Sequence, residues 1–207
     1  MPTLCRRSLI ASAALMAFSA LPSLAQASAT VGQRAPDFTL QDTAGQPVRL
    51  SDYKGKTVVL EWTNPGCPFV RKHYDSGNMP ATQKDAIDHA VVWLSINSTA
   101  KASGDYLPPA ALAHWLHERK GVATAVLMDE EGTVGQAYGA RTTPHMFIVN
   151  PEGTLVYAGA IDSIASARPA DIPKATNYVK AALADLAAGR PVAQAVTQAY
   201  GCSVKYK

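Results

Sequence analysis

Residues 58–72 read VVLEWTNPGCPFVRK and carry the strongest local signal in the chain. Residues 58–62 are an almost continuous apolar run, which is typical of a strand covered on both faces of a sheet. Residues 64–66 (Asn-Pro-Gly) favour a turn, and they lead to Cys67, which stands directly before a proline, a favoured first residue of a helix. A thiol at a helix start faces unpaired backbone N–H groups and the positive end of the helix dipole, and both favour the nucleophilic thiolate. These residues predict a buried strand, a tight turn and a reactive cysteine at the mouth of a helix.

Strand and helix patterns alternate on both sides of this region. The predicted strands are residues 35–40, 48–50, 58–62, 91–97, 124–128, 146–149 and 154–159, and the predicted helices are residues 68–74, 79–90, 110–120, 134–138 and 173–188. Turn residues make the first two strands one hairpin and the last two strands another. Alternation of strands with helices predicts a mainly parallel sheet that is closed by an antiparallel hairpin at one edge.

The first 27 residues have the pattern of a cleaved signal peptide. Arg6 and Arg7 form a positive start, residues 9–24 an apolar core, and residues 25–27 (Ala-Gln-Ala) a cleavage site. The apolar core is short for a membrane span and has no positive flank after it, so we expect no stable membrane insertion after cleavage. The pattern predicts export to the periplasm and a mature chain, residues 28–207, that forms a single domain.

Charge and cysteine content narrow the function classes. The formal charge of +3 is small and scattered, and no basic cluster with interleaved aromatic residues is present, which argues against a nucleic-acid partner. Loss of the leader removes Cys5 and leaves Cys67 and Cys202 as an even pair in an oxidising compartment. That pair is either a structural disulfide that ties the tail to the domain or a redox pair that opens and closes.

Three stretches together resemble a known fold. They are residues 35–40 with 50–56 (APDFTL and LSDYKGK), the Cys-Pro pair at 67–68 after its strand, and residues 142–153 (TTPHMFIVNPEG). In this order they resemble the redoxin branch of the thioredoxin-fold proteins, the alkyl hydroperoxide reductase/thiol-specific antioxidant (peroxiredoxin-like) group. The resemblance implies an α/β, thioredoxin-like fold with a central mixed sheet flanked by helices. An extra N-terminal β-hairpin and a C-terminal helix plus a tail at 190–207 would complete it.

The chain departs from the two usual active sites of that superfamily. Thioredoxin-type oxidoreductases carry C-x-x-C, whereas Val70 stands here in place of the second cysteine. Peroxiredoxins carry Thr or Ser three residues before the reactive cysteine and Pro seven before it, whereas this chain has Asn64 and Leu60. Residues 200–206 (YGCSVKY) resemble the tail of peroxiredoxin-like redoxins with a Cys-Pro-Phe/Tyr-Val-Lys/Arg site.

The resemblance implies the main roles at the site. Cys67 would be the redox nucleophile, and a sulfenate formed on it would need a second thiol, for which Cys202 is the candidate within the mature chain. A permanent brace at Cys202, and a resolving thiol from a partner or small molecule, stay open as alternatives. Pro144 would be a cis-proline that leaves the Thr143 backbone free to pair with an extended substrate strand.

Five further residues are expected to contribute to the site. His145 is expected near the thiol, where it would hold the thiolate or pass protons. Arg141 is expected to stabilise the thiolate, and Glu61 in the buried strand is expected to act as a proton relay with a raised pKa. Thr63 and Asn64 are expected to hydrogen-bond a peroxide or a sulfenate, although both are also ordinary turn residues.

Neither a metal nor a cofactor is expected. Cys67 with His73 and His145 matches no known ligand spacing, and one thiolate is a weak anchor for copper or zinc. His73, nearly two helical turns after Cys67, is expected to be a solvated surface residue.

The combined prediction is an exported thiol-dependent oxidoreductase with peroxiredoxin-like peroxidase activity. Its partners would be a peroxide or disulfide substrate and an external thiol that resets the cysteines. One alternative is thiol–disulfide exchange with protein substrates. The other is a non-enzymatic binding or metal-delivery module with a structural Cys67–Cys202 disulfide.

Overall fold

The computed structural model describes residues 29–207, so the predicted signal peptide lies outside the described residues. The strands are β1 (Thr39–Asp42), β2 (Pro47–Arg49), β3 (Val58–Trp62), β4 (Val92–Asn97), β5 (Ala125–Met128), β6 (Thr142–Thr143), β7 (His145–Val149), β8 (Leu155–Gly159) and β9 (Cys202–Ser203). The α-helices are α1 (Pro68–Asp75), α2 (Asn78–Asp88), α3 (Pro109–Glu118), α4 (Thr133–Tyr138) and α5 (Tyr178–Ala187). Short 3₁₀ helices occupy Leu50–Tyr53 and Pro169–Lys174.

The central sheet has the strand order β2-β1-β5-β4-β3-β7-β8. Strands β3, β4 and β5 run parallel, while the β1–β2 and β7–β8 hairpins close the two edges with antiparallel pairs. Strand β3 lies between β4 and β7, and every one of its residues is buried, as the apolar run predicts. This mixed sheet with its N-terminal hairpin confirms the thioredoxin-like fold. The expectation of a mainly parallel sheet with one antiparallel edge is wrong, because four of the six strand pairs in this sheet are antiparallel and both edges are hairpins.

The two faces of the sheet carry separate hydrophobic cores. One core contains Trp62, Tyr138 and Phe147 and is covered by α4 and the N-terminal hairpin region. The other contains Met146 and is covered by α1, α2, α3 and α5. Cys67 belongs to this second core. Because successive residues of a strand point to opposite faces, a residue's position along β3 or β7 decides whether it can reach the thiol.

Two predicted elements begin later than expected. The helix predicted from residue 173 begins at Tyr178, because the chain before it forms a 3₁₀ turn and the Asn177 side chain caps the helix by accepting the Lys180 N–H at 3.0 Å. The strand predicted at residues 35–40 begins instead at Thr39, as β1. None of the helices between residues 29 and 207 combines the length and apolar character that a membrane crossing requires.

The tail at 190–207, for which the sequence predicts little structure, is built onto the domain. Thr197 donates its N–H to Ala158 at 3.1 Å, beside strand β8. Strand β9 then pairs antiparallel with β6. Beyond it, Lys205 accepts the Ala100 N–H at 2.8 Å in the loop after β4. The tail therefore crosses the domain from the β8 edge to the β4 loop, and Cys202 lies within that crossing.

Candidate active site

Cys67 is the N-cap residue of α1, at the strand–turn–helix junction that residues 58–72 predict. Asn64 builds the turn, because its carbonyl accepts the Cys67 N–H at 3.0 Å and its side chain accepts the Gly66 N–H at 2.7 Å. Pro68 occupies the first turn of the helix. Cys67 is only 2% exposed, so the predicted reactive thiol lies beneath other residues.

The tail and the β6–β7 junction supply the polar contacts of the Cys67 sulfur. The thiol donates to the Thr143 carbonyl at 3.0 Å, and the Cys202 N–H donates to the sulfur at 3.4 Å. Burial and the neighbouring Cys67 side chain raise the pKa of Cys202 to about 12, so Cys202 keeps its proton at neutral pH. The structure thus brings the two cysteines, both free thiols, into direct contact.

The Thr143–Pro144 peptide bond is cis, as the resemblance implies. The Thr143 backbone is not free, however, because Thr143 is the strand partner of Cys202 in the β6–β9 pair. The expectation of an open edge for a substrate strand is therefore wrong in this structure. The chain's own tail occupies the place at which a substrate strand would pair.

Gly201 allows the tail to approach this closely. Its φ is +138°, and a Cβ atom on it would lie 2.0 Å from the Thr143 carbonyl oxygen. Real Cβ contacts are never this short, so a side chain at position 201 would force the tail away from β6.

The structure does not bring His145 to the thiol. Its ring lies 4.4 Å from the Phe147 ring, on the sheet face opposite to Met146 and Cys67. Burial lowers the pKa of His145 to about 4, with a smaller effect of Arg141 in the same direction, so the imidazole is neutral at neutral pH. Its Nδ1 accepts the Arg141 N–H at 3.3 Å. This arrangement supports the loop from residue 141 to residue 145 rather than proton transfer at sulfur.

The other three polar candidates have different surroundings. Arg141 is exposed and contacts the tail through its backbone, since its carbonyl accepts the Val204 N–H at 3.0 Å. Asn64 donates from its side-chain amide to Thr99 at 3.0 Å, so both ends of that amide serve the turn. Thr63 is 1% exposed, and its Oγ1 has no hydrogen-bond partner in the described part of the chain. Of these three residues, Thr63 alone has a buried side-chain polar atom without a hydrogen-bond partner among the described residues.

Glu61 is the centre of a fully satisfied buried network, which we call the Glu61 cluster. Its carboxylate accepts hydrogen bonds at 2.8, 3.1, 2.8 and 2.9 Å from the side chains of Tyr74, Gln83, Trp93 and Ser95. Burial raises the pKa of Glu61, and these hydrogen bonds oppose that effect. No hydrogen bond joins this carboxylate to Cys67 among the described residues, so the structure provides no direct path for the expected proton relay.

A second buried network, the Lys72 cluster, consists of Lys72, His73, Asp162 and Tyr200. Lys72 lies 3.3 Å from the Asp162 carboxylate, and both side chains are buried. The expectation of a solvated His73 is wrong, because this residue is fully buried. The sequence held one signal for this: His73 follows Val70 by three residues, a spacing that places both on one face of a helix. Burial of Lys72 carried no local signal, since its partner Asp162 is distant in sequence.

Metal ligands are not clustered in the described chain. Between residues 29 and 207, no group of three or more His, Cys, Asp and Glu side chains is arranged to hold a metal ion. The physical reason is visible at the thiol, where His145 points to the other sheet face and His73 is engaged with Tyr200 at 3.3 Å.

Comparison with known proteins places this geometry in context. The AhpC/TSA family model matches residues 31–158. The thiol-disulfide oxidoreductase ResA of Bacillus subtilis is 26% identical over 132 residues, which cover 60% of this chain and 64% of that protein. Peroxiredoxin Bcp of Bacillus subtilis is 28% identical over 112 residues, which cover 52% of this chain and 62% of that protein. The chain therefore spans less than two thirds of the length of these relatives.

A solved structure extends the likeness beyond the length of the family model. The crystal structure of an uncharacterized conserved protein from Geobacillus kaustophilus has 30% sequence identity and a TM-score of 0.73, covering 86% of this chain and 93% of that one. This coverage is about as long as the described chain, whereas the family model ends before α5. Because the family model matches more than half of the chain, this protein belongs to the AhpC/TSA family.

Proposed function

We propose that the protein is a thiol-dependent oxidoreductase whose working unit is the Cys67–Cys202 pair, cycling between dithiol and disulfide. The observation that carries the proposal is the contact between the two cysteines, with the Cys202 N–H 3.4 Å from the Cys67 sulfur. ResA, a thiol-disulfide oxidoreductase, and Bcp, a peroxiredoxin, are among its relatives and support the same reaction class.

The chemistry begins at Cys67. Cys202 holds its proton, because its pKa is raised to about 12, so the Cys67 sulfur is the nucleophile of the pair. Cys67 thiolate attacks one sulfur of an external disulfide, the external S–S bond breaks, and one thiolate leaves and takes up a proton. Cys202 then loses its proton and attacks the Cys67 sulfur, and the second external thiol leaves. The external disulfide is reduced to two thiols, and the protein is oxidised to the Cys67–Cys202 disulfide.

The return step is expected to start at Cys202. Cys202 is partly exposed, whereas Cys67 is buried. Attack of an external thiolate on the Cys202 sulfur expels the Cys67 sulfur, which leaves as a thiolate at the start of α1. A second external thiol releases the first one from Cys202 as a disulfide. The external dithiol or pair of thiols is thereby oxidised and the protein returns to its reduced form.

Disulfide exchange is the first choice of reaction, and peroxide reduction is the second. The turn engages both ends of the Asn64 amide, so this group, expected at a peroxide, is committed elsewhere. Arg141, expected to stabilise the thiolate, is exposed and contacts the tail through its backbone carbonyl. The observation that favours a peroxide is the buried, unpartnered Thr63 Oγ1. In that reaction Cys67 attacks a peroxide oxygen, the O–O bond breaks, and an alcohol or water leaves. Cys202 then converts the sulfenate to the disulfide and releases water.

We place this activity in the periplasm. The support is the signal-peptide pattern of residues 1–27, with its positive start, apolar core and Ala-Gln-Ala site. An oxidising compartment suits a pair of cysteines that must be reset by an external thiol.

Thiol titration combined with peptide mapping tests the function. Reduced wild type, Cys67→Ser and Cys202→Ser are each mixed with oxidised glutathione, and separately with stoichiometric hydrogen peroxide. We expect wild type to form a Cys67–Cys202 disulfide that dithiothreitol reverses. Cys202→Ser should stop at a Cys67–glutathione mixed disulfide, and Cys67→Ser should form no mixed disulfide at Cys202.

Other results separate the alternatives. A faster reaction with peroxide than with oxidised glutathione would make peroxide reduction the main activity. A Cys67–Cys202 bridge that is present on isolation and resists mild reductant would mean a structural disulfide and would contradict the proposed redox cycle.

A further inference from the structure

The Lys72 cluster joins the helix that carries Cys67 to the tail that carries Cys202. Lys72 and His73 belong to α1, Asp162 follows β8, and Tyr200 belongs to the tail. The side chains of Lys72, His73 and Asp162 are buried. Tyr200 is the tail's contribution, two residues before Cys202. No residue of this cluster takes part in the chemical steps described above.

Tyr200 is held by hydrogen bonds on its hydroxyl. The hydroxyl donates to Asp162 and receives a hydrogen bond from His73 Nε2 at 3.3 Å. The direction of the His73–Tyr200 hydrogen bond follows from the other ring nitrogen of His73. The Asn78 amide donates to Nδ1 at 2.8 Å, so Nδ1 is an acceptor and the ring proton lies on Nε2. In this series of hydrogen bonds, which runs from Asn78 through His73 and Tyr200 to Asp162, each donor thus meets one acceptor.

Electrostatics keep this chain of hydrogen bonds in one arrangement. Burial lowers the pKa of His73 to about 4, against the opposing effect of Asp162, so the imidazole is neutral at neutral pH. Burial and the Asp162 carboxylate raise the pKa of Tyr200, so its hydroxyl remains a donor. The Lys72 ammonium balances the Asp162 carboxylate at 3.3 Å and lies 5.7 Å from the centre of the Tyr200 ring. A charge-balanced buried site of this kind loses stability when one partner is removed.

The Tyr200 ring is held as well as its hydroxyl. It packs edge-on against Phe69 of α1, with ring centres 5.8 Å apart. The ring thus contacts the first turn of the helix that begins directly after Cys67, and the hydroxyl contacts a later turn.

The spacing along the helix matches the spacing along the tail. A helix rises about 1.5 Å per residue, so Lys72 and His73 lie about 8 Å along α1 from Cys67. Two residues of extended chain span about 7 Å, which is the reach from Tyr200 to Cys202. Anchoring Tyr200 beside residues 72 and 73 therefore places Cys202 beside Cys67.

We infer that the Lys72 cluster is the latch that positions Cys202 on Cys67 and closes the thiol from solvent, with Tyr200 and Asp162 as positioning residues. This inference deepens the proposed function and rests on it for its biological meaning. The latch acts on the geometry of the pair, since it touches neither sulfur.

Accessibility of Cys67 gives a direct measure of the latch. In a Cys202→Ser chain, Cys67 is the one cysteine left in the mature protein. Iodoacetamide is expected to reach it when the tail lifts, because Cys67 is 2% exposed and the tail residues Tyr200 and Cys202 pack against its core, with the Cys202 N–H on its sulfur. The alkylation rate is therefore proportional to the population with a lifted tail.

Tyr200→Phe in this background is the test variant. Phenylalanine keeps the ring contact with Phe69 and removes the hydroxyl and its hydrogen bonds. Hydrogen bonds to a buried carboxylate are among the stronger ones, so we expect alkylation of Cys67 to become about tenfold faster. Asp162→Asn is a poorer test, because it would leave the buried Lys72 charge unpaired and risk unfolding the chain.

Tyr138→Phe is the matched control. It also removes a buried hydroxyl, which donates to the Pro36 carbonyl at 2.7 Å on the other face of the sheet. We expect it to leave the alkylation rate within about twofold of its parent. An unchanged rate in Tyr200→Phe would overturn the latch, and so would a rate that rises equally in both variants in step with their melting temperatures.

A second measurement separates the latch from the proposed function. With both cysteines present, Tyr200→Phe should let oxidised glutathione reach Cys67 faster but should close the mixed disulfide onto Cys202 more slowly. More Cys67–glutathione mixed disulfide should therefore accumulate than in wild type, and Tyr138→Phe should match wild type. If wild type forms no Cys67–Cys202 disulfide, the redox function fails, while the alkylation rates still decide whether the latch exists.

Discussion

The Glu61 cluster and the Lys72 cluster are both buried and both include residues of helix α1, but they join different parts of the molecule. The Glu61 cluster links β3, β4, α1 and α2, all within the thioredoxin-like body. The Lys72 cluster links α1 and the segment after β8 to the tail. One is a carboxylate surrounded by neutral donors, and the other is an ion pair that holds a tyrosine.

This difference separates stability from site geometry. Loss of the Glu61 cluster would leave unsatisfied polar groups at the centre of the body, so its effect should fall on global unfolding. Loss of the Tyr200 contacts would release one end of the tail while the sheet and its cores remain. Buried polar clusters of similar composition can therefore serve different purposes, and the elements that they join decide which.

Glu61→Ala is expected to have the largest effect on stability. It removes an acceptor shared by buried donors and leaves a cavity, which should lower the free energy of unfolding by about 4 kcal/mol. Urea unfolding measures this change. Glu152→Ala is the control, because Glu152 is exposed and its loss should change the free energy by less than about 0.5 kcal/mol. A loss in Glu61→Ala no greater than in the control would contradict the role of this cluster in the body.

The pH dependence of stability should have opposite signs for the two clusters. The pKa of His73 is lowered from 6.5 to about 4, so its contribution is complete above pH 6.5 and is lost as the pH falls through 4. This corresponds to about 2 kcal/mol between pH 7 and pH 5. The pKa of Glu61 is raised above 4.5, so its contribution is complete below that pH and is lost as the pH rises through the folded value.

Urea unfolding at pH 7, 6 and 5 tests these signs. His73→Gln should lose about 2 kcal/mol less than wild type on acidification, because glutamine takes up no proton. His145→Gln, on the other sheet face, should show the same smaller loss of unfolding free energy on acidification. The reason is that burial also lowers the pKa of His145 to about 4. Equal losses in wild type and the His73 variant would mean that folding does not lower the pKa of His73.

Gly201→Ala should have the smallest effect on global stability and a local effect on the tail. The added Cβ would lie 2.0 Å from the Thr143 carbonyl oxygen, so β9 must separate from β6. We expect the free energy of unfolding to fall by about 1–2 kcal/mol and Cys67 alkylation to become faster than in the parent chain.

Gly189→Ala provides the matched control for that variant. Gly189 also has a positive φ, of +68°, but a Cβ there would meet nothing within 4 Å. Both variants carry the backbone cost of alanine at positive φ, and only Gly201→Ala carries the clash. Equal alkylation rates in the two variants would show that tail closure does not depend on the contact between Gly201 and Thr143.

Local pattern was sufficient for most of the body. The apolar run of β3, the Asn-Pro-Gly turn and the proline after Cys67 each act within a few residues, and the structure has the predicted junction. The cis bond before Pro144 followed from the resemblance and not from local preference, which favours trans. Sequence reasoning was least accurate at 169–177, where a capping asparagine and a proline turn delay the start of α5.

The surroundings of the site depended on contacts that no local pattern encodes. Both faces of β7 are buried, so the alternation of polar and apolar residues that would orient His145 is missing. Lys72 is buried because its charge is paired with Asp162, and the backbone edge of Thr143 is occupied because Cys202 pairs with it. In both cases the partner is remote in sequence.

Residues 58–72 alone were enough to identify a strand, a turn and a thiol at a helix start, because those preferences arise from neighbouring backbone and side-chain groups. Which residues cover that thiol was decided only by the tertiary structure. The tail has weak preferences of its own, and its path is set by Tyr200 in the Lys72 cluster and by the pairing of β9 with β6. These contacts form only after the body has brought α1, β6 and the segment after β8 together, so the partner of Cys67 is a property of the tertiary structure.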